Sequence, residues 1–251
     1  MNRCFLSNNT ACRGGCLYCF SKWQEYKKFE VQFLSEDNNI IYPNCDGDMF
    51  DDNFKVILEQ LKNISSNYSI SVSTKFDVDE KDLQLLERTQ NDLRDKKKGI
   101  AKLSVSFSCS KSIERIEPGT ASYDERINLV RRISKTSIPY VTIIKPILPF
   151  IEHEEYYHIV DDTIEYSPYY LLGDLYVSEN TAFYRNFIEN KYKTELRDVE
   201  WNGNNGPWSV VVDADKRAAI IHYITSKGGR AFESDEEVMD YLIKQYKKRE
   251  C

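Results

Sequence analysis

The sequence predicts an α/β chain folded as an open, partial (β/α)6 TIM-like barrel. Apolar, β-branched runs alternate six times with stretches of helical periodicity, the pattern of a parallel sheet with right-handed crossovers. The 251 residues are enough for one large α/β unit, and no repeat or linker splits the first 200. Six units are too few to close an eight-stranded barrel. The alternation alone does not separate a curved open sheet from a flat doubly wound one; the curved form is the expectation carried forward.

The elements follow in order. Arg3–Leu6 is the first strand, and the connection after it is the least regular. Asn39–Cys45 leads to a helix near Asp52–Ile64, where Phe54, Ile57, Leu58 and Leu61 fall on one face. Ser69–Phe76 precedes a helix at Glu80–Asp95. Ala101–Ser108 precedes one at Tyr123–Lys135, which Asp124 or Ser122 can cap. Tyr140–Leu148 and Tyr169–Val177 pair with helices at Glu154–Ile164 and Asn180–Tyr192. The turn-rich stretch Trp201-Asn202-Gly203-Asn204-Asn205-Gly206-Pro207 then separates a core, 1–200, from an extension, 201–251. The extension reads as a strand at Trp208–Val212, a helix and a last basic helix. So short a piece makes a marginal core of its own, so it is expected to pack on the barrel.

The net charge of −6 argues against broad adhesion to nucleic acid. Lys96-Lys97-Lys98 and Arg131-Arg132 read as solvated clusters. The first residues, MNRCFLSNN, hold no apolar signal region, and no run approaches the roughly 18 apolar residues of a membrane span. A cytoplasmic location with reduced thiols is therefore expected. Seven cysteines, an odd number, fit metal binding better than a disulfide framework.

Three of the seven, Cys12, Cys16 and Cys19, stand as C-x3-C-x2-C just after the first strand. Parallel α/β folds gather reactive groups at such strand ends. Gly14 and Gly15 inside the loop permit a tight wrap with positive φ. Structural zinc wants four ligands, usually as two pairs, and Cys4, Cys45 and Cys109 show no paired spacing. Three thiolates on a four-iron cluster leave one iron open, as catalysis requires.

This spacing, with Tyr18 just before the last cysteine, resembles the radical S-adenosylmethionine (radical SAM) superfamily. The likeness extends over about residues 3–177 and is greatest to the spore photoproduct lyase-like, or DNA-repair-photolyase-like, branch. The residues that carry it are Asn44-Cys45-Asp46-Gly47-Asp48 after the second strand, Ser73-Thr74-Lys75 ending the third, and Ser104-Val105-Ser106-Phe107-Ser108 in the fourth. Arg115-Ile116-Glu117-Pro118-Gly119-Thr120, Arg126-Ile127 and Lys145-Pro146-Ile147-Leu148-Pro149 complete it.

The resemblance implies that Cys12, Cys16 and Cys19 hold a [4Fe–4S] cluster whose fourth iron chelates S-adenosylmethionine. It implies that Tyr18, Asp46, Gly47, Asp48, Lys75, Ser106 and Arg126 bind that cofactor. Asp46-Gly47-Asp48 would receive its ammonium, while Lys75, Ser106 and Arg126 would hold its carboxylate or ribose. Cys45 matches a cysteine that in this branch returns a hydrogen atom to the product radical; its plainer reading is a small buried thiol. A flavodoxin- or ferredoxin-type reductant would supply one electron. The implied substrate is a nucleic acid or nucleotide; a peptide, protein or small metabolite is the alternative, and a non-catalytic iron–sulfur or zinc module is the third reading.

Overall fold

The computed structural model describes residues 2–6, 12–19, 39–45, 47–50, 54–62, 64, 66–199 and 207–248. Its frame is a seven-stranded, wholly parallel sheet in the order β1-β2-β3-β4-β5-β6-β10. The strands are β1 (Asn2–Phe5), β2 (Asn39–Tyr42), β3 (Tyr68–Thr74), β4 (Ala101–Phe107), β5 (Tyr140–Ile144), β6 (Tyr169–Leu172) and β10 (Arg230–Phe232). The first six are the expected ones. The seventh comes from the C-terminal extension, which thus adds to the sheet itself.

Four helices, α1 (Phe54–Lys62), α2 (Glu80–Asp95), α4 (Tyr123–Ile133) and α5 (His153–Thr163), join successive strands. A short α3 (Ile113–Ile116) lies between β4 and α4. On α1 the expected stripe Phe54, Ile57, Leu58 and Leu61 is the buried one. Of the two candidate caps for α4, Ser122 does the work: its hydroxyl accepts from Glu125 N, and the Glu125 carboxylate accepts from Ser122 N.

Alternation along the strands divides the core in two. Ile41, Ile70, Val72, Leu103, Val105, Ile144 and Leu172 pack with the four joining helices. Their neighbours Ile40, Val141, Ile143 and Leu171 face the other way. This inner face is covered by α7 (Asp235–Lys248), through Val238, Met239 and Leu242. At the head of α7, Asp235 accepts hydrogen bonds from Ser71 at 2.9 Å and from Lys102, whose side chain is 1% exposed. Pairing with Asp235 offsets the cost of burying that ammonium.

Two expected elements come out differently. Tyr169–Val177 is not one strand: it breaks at Gly173-Asp174, and β7 (Leu175–Val177) turns into a separate antiparallel sheet, β7-β9-β8, with β8 (Thr194–Arg197) and β9 (Trp208–Val211). Asp174 causes the departure, since Arg197 and Arg217 grip its carboxylate at 2.8 and 2.5 Å. The helix expected over Asn180–Tyr192 shrinks to a short turn around a π-helical stretch, Tyr184–Ile188. There Phe183 and Phe187 stack at 5.3 Å instead of continuing a helical stripe. The remaining helix, α6 (Ala214–Ser226), anchors to the loop after β5: Lys216 Nζ donates to the carbonyls of Pro149 and Ile151 at 2.6 and 2.7 Å.

Candidate active site

The carboxyl ends of β1, β3 and β4 bring the cysteine loop against the loop between α3 and α4. Leu17 N donates to Ile116 O at 2.9 Å, and Gly119 N to Gly14 O at 3.0 Å. The approach is so close that a Cβ on Gly119 would lie 2.3 Å from Arg13 O. Only glycine fits there. Within the loop, Gly15 takes the positive φ of 61° while Gly14 does not. Gly14 N instead points at Cys12 Sγ, 3.4 Å away.

Cys16 is buried, and Cys12 and Cys19 are half-buried. Burial pushes the Cys16 thiol up to about 12; Lys75 opposes this, and Glu117 and the other two cysteines add to it. A cation is what such a loop needs before three thiols can ionise together. Among the described residues no three His, Cys, Asp or Glu side chains converge on the point one metal ion would occupy. In a four-iron cluster each thiolate takes a different iron, so its ligands stand apart. A three-thiol donor set, a backbone N–H aimed at sulfur and a loop held rigidly from behind all fit such a cluster.

Behind the loop lies a buried charge network. Glu117, 1% exposed, sits at its centre. Its carboxylate accepts from Lys75 Nζ at 2.8 Å and from the Tyr18 hydroxyl, and pairs with Arg126 at 2.6 Å. Burial works to raise Glu117, but Lys75 and Arg126 outweigh it and hold the carboxyl at about 2. Tyr18 is driven well above the ordinary phenol range by burial and by Glu117. Lys75 also donates to the Tyr18 oxygen at 2.8 Å and to Lys145 O at 3.3 Å.

The other residues singled out in the sequence lie around this network. Arg126, fully buried, spends its remaining donors on Ala121 O, Ser106 O and Thr120 Oγ1. Ser106 Oγ donates to Lys145 O at 3.3 Å. Asp48 is buried beside the end of β3, where its carboxylate accepts from Thr74 Oγ1 and Lys75 N at 2.8 Å and from Phe50 N at 3.1 Å. Burial raises it to about 6 against the pull of these bonds. Gly47 adjoins Asn44, and Asp46 lies outside the described residues. Cys45, half-buried, points its sulfur at Tyr42 O, 3.4 Å away, and its N–H bonds Leu6 O. Tyr18 meets Phe183 edge-on at 6.4 Å, so the short turn after β7 walls this side of the loop.

Glu117 is the residue the motif reading passed over. It stood in the quoted Arg115–Thr120 stretch, but beside Pro118-Gly119 it looks like part of a turn. Its importance comes from cations 42 residues before it and nine after it.

Fold and site together describe an open α/β barrel with a three-cysteine loop after its first strand, backed by a buried ion network. Solved structures with this architecture include a spore photoproduct lyase variant (TM-score 0.66, 16% identity, covering 90% of this chain and 75% of that one). Another lyase variant, with bound AdoMet and dinucleoside spore photoproduct, superposes with a TM-score of 0.65 at 13% identity over 92% and 82% of the two chains. SuiB of Streptococcus suis matches more loosely, at TM-score 0.56 and 12% identity, over 92% of this chain and 48% of its own. The likeness to the spore photoproduct lyase-like branch read from the sequence is present at the level of the fold. In sequence, an uncharacterized protein of Methanocaldococcus jannaschii is 23% identical over 199 residues, 72% of this chain and 73% of its own. No family model matches the chain. Among the described residues no helix is long and apolar enough to cross a membrane.

Proposed function

We propose that the chain is a radical SAM enzyme. The observation that carries this reading is the three-cysteine loop pinned at the carboxyl end of the sheet against the Tyr18–Lys75–Glu117–Arg126 network. When bound, the [4Fe–4S] cluster and S-adenosylmethionine would supply, on one-electron reduction, a 5′-deoxyadenosyl radical for hydrogen abstraction. Cys12, Cys16 and Cys19 hold the cluster. Gly14 N tempers the Cys12 sulfur by hydrogen bonding, and the Phe183 wall excludes water from one side.

Lys75 and Ser106 face the cofactor's polar groups from the ends of β3 and β4. Tyr18, on the loop itself, meets Lys75 through its hydroxyl. Gly47, after β2, is a further proposed cofactor contact, and Asp46, outside the described residues, is proposed from the sequence alone. Asp48 and Arg126 act through what they hold: Asp48 fixes the Lys75 backbone, and Arg126 keeps Glu117 ionised so that the Lys75 ammonium is oriented. The likeness to a spore photoproduct lyase variant with bound dinucleoside spore photoproduct supports a nucleic acid or nucleotide substrate for this chain. Cys45, at the end of β2, is the proposed hydrogen donor to the product radical, and a flavodoxin or ferredoxin the proposed electron donor.

Anaerobic reconstitution tests the cluster. The chain should take up about four irons, and Cys12→Ala, Cys16→Ala and Cys19→Ala should each bring cofactor cleavage to background. Full cleavage by any one of them would sink the assignment. For Cys45, mass spectrometry of products is decisive. Cys45→Ala should keep the cluster and still form 5′-deoxyadenosine, yet divert substrate to abnormal adducts. A normal product pattern from a well-folded variant would leave Cys45 a core residue only.

A further inference from the structure

One cation on the inner face joins the network just described only through its backbone carbonyl. Lys145 follows β5 and continues the inward-facing series Val141, Ile143. Its stem lies across the end of β6: a Cβ on Gly173 would come within 2.5 Å of Lys145 Cδ and 2.6 Å of Cγ. Glycine at 173 therefore opens the path that the lysine takes. The residue is exposed, and among the described residues no acceptor bonds its ammonium and no carboxylate lies within ion-pair distance.

Its surroundings explain why no internal acid answers it. The nearby acid Asp174 is already held by Arg197 and Arg217, and Asp235 by Lys102. Lys75, the neighbouring ammonium, is matched by Glu117. Lys145 thus adds an exposed positive charge to the inner face where the nearby acids are committed elsewhere, on a chain that is acidic overall. On the same face, Ser73 is the one exposed residue of β3, and it offers a hydroxyl to whatever occupies the mouth.

We infer that Lys145 is an anion-binding residue whose ammonium takes a phosphate or carboxylate oxygen of the ligand lying on the inner face. A lysine on a flexible stem suits this work, since it delivers a point charge and three donors without fixing one geometry. Two sources carry the required oxygen: a phosphate of the substrate and the carboxylate of S-adenosylmethionine. Only the second rests on the radical SAM reading.

Two probes separate them: inorganic phosphate, followed by 31P line broadening with and without reconstituted iron, and S-adenosylmethionine, followed by equilibrium dialysis on the anaerobic holoprotein. Lys145→Met should weaken at least one probe about tenfold or more, with the melting temperature and iron content unchanged. Lys145→Arg should retain binding, and Gly173→Ala, which pushes the stem aside, should reproduce the loss. Weakened phosphate assigns a substrate anion; weakened S-adenosylmethionine assigns the cofactor carboxylate. Equal affinity of wild type and Lys145→Met for both probes, or no binding of either by wild type, would overturn the inference. A failure of the cluster reading appears separately, as missing iron, and leaves the iron-free phosphate arm intact.

Discussion

The two ends of the inner face solve the problem of buried charge in different ways. At the amino end, Lys102 and Asp235 meet as one pair beneath α7, with Ser71 as a further donor and Val238, Met239 and Leu242 filling the space around them. At the carboxyl end, one carboxylate, Glu117, serves two cations and a phenol, and the Lys145 ammonium beyond them bonds no acceptor among the described residues. The first arrangement is closed and holds a helix in place. The second leaves positive charge and hydroxyls directed at an opening. Chemistry belongs at the second end because the described residues there leave an exposed ammonium and a hydroxyl to bind something else.

The largest effects expected from this contrast are on stability. Glu117→Gln leaves Lys75 and Arg126 facing each other without a counter-charge, and Asp235→Asn leaves Lys102 buried alone. Each should cost about 3–5 kcal/mol in urea unfolding. The difference lies in function: Glu117→Gln should also weaken S-adenosylmethionine binding, since Lys75 loses its orientation, whereas surviving Asp235→Asn should bind normally. Equal cofactor affinity in the two would break the distinction between the ends.

Smaller losses are expected at the mouth itself. Lys75→Ala and Ser106→Ala should weaken S-adenosylmethionine binding while keeping iron content, each by about 1.5–3 kcal/mol at most, the range for hydrogen bonds to charged groups. Unchanged affinity in both would take the ends of β3 and β4 out of the pocket.

Within the carboxyl end, Asp48 and Glu117 sharpen the comparison further, because their pH dependences have opposite sign. Glu117 is held at about 2, below its usual 4.5, so its stabilising share is full above pH 4.5 and is lost as pH falls toward 2. Asp48 is raised from 3.8 to about 6. Its share is full below pH 3.8 and is lost as pH rises through 6. Each displacement corresponds to about 3 kcal/mol. Melts of iron-free protein from pH 2.5 to 7 check this. The gap between wild type and Glu117→Gln should widen as pH rises to 5, and that between wild type and Asp48→Asn should narrow up to pH 6.5.

Much of this was legible in the sequence where local pattern decides structure. Each of the six β-branched runs holds a strand of the parallel sheet, the sixth cut short at Leu172, and Phe54, Ile57, Leu58 and Leu61 form the buried stripe of α1. The strand ends carrying Lys75 and Ser106 reach one mouth because parallel strands put all their carboxyl ends together. What stayed hidden depends on contacts distant in sequence. Leu171-Leu172-Gly173-Asp174-Leu175 reads as one apolar run until Lys145 lies over Gly173 and two arginines pull Asp174 aside. β10 has only three residues, too few to show a period. The stripe on α7 tells that the helix buries a face, and only Asp235 meeting Lys102 tells which surface it covers.

In the proposed enzyme, three thiolates at the cysteine loop would leave one iron open to S-adenosylmethionine. Electron paramagnetic resonance of the reconstituted, reduced protein tests it most directly. A reduced [4Fe–4S] signal should appear and should change its g values when S-adenosylmethionine is added, since the cofactor enters the iron's own coordination. A cluster signal that is the same with and without S-adenosylmethionine, or no cluster in protein that has taken up iron, would contradict it.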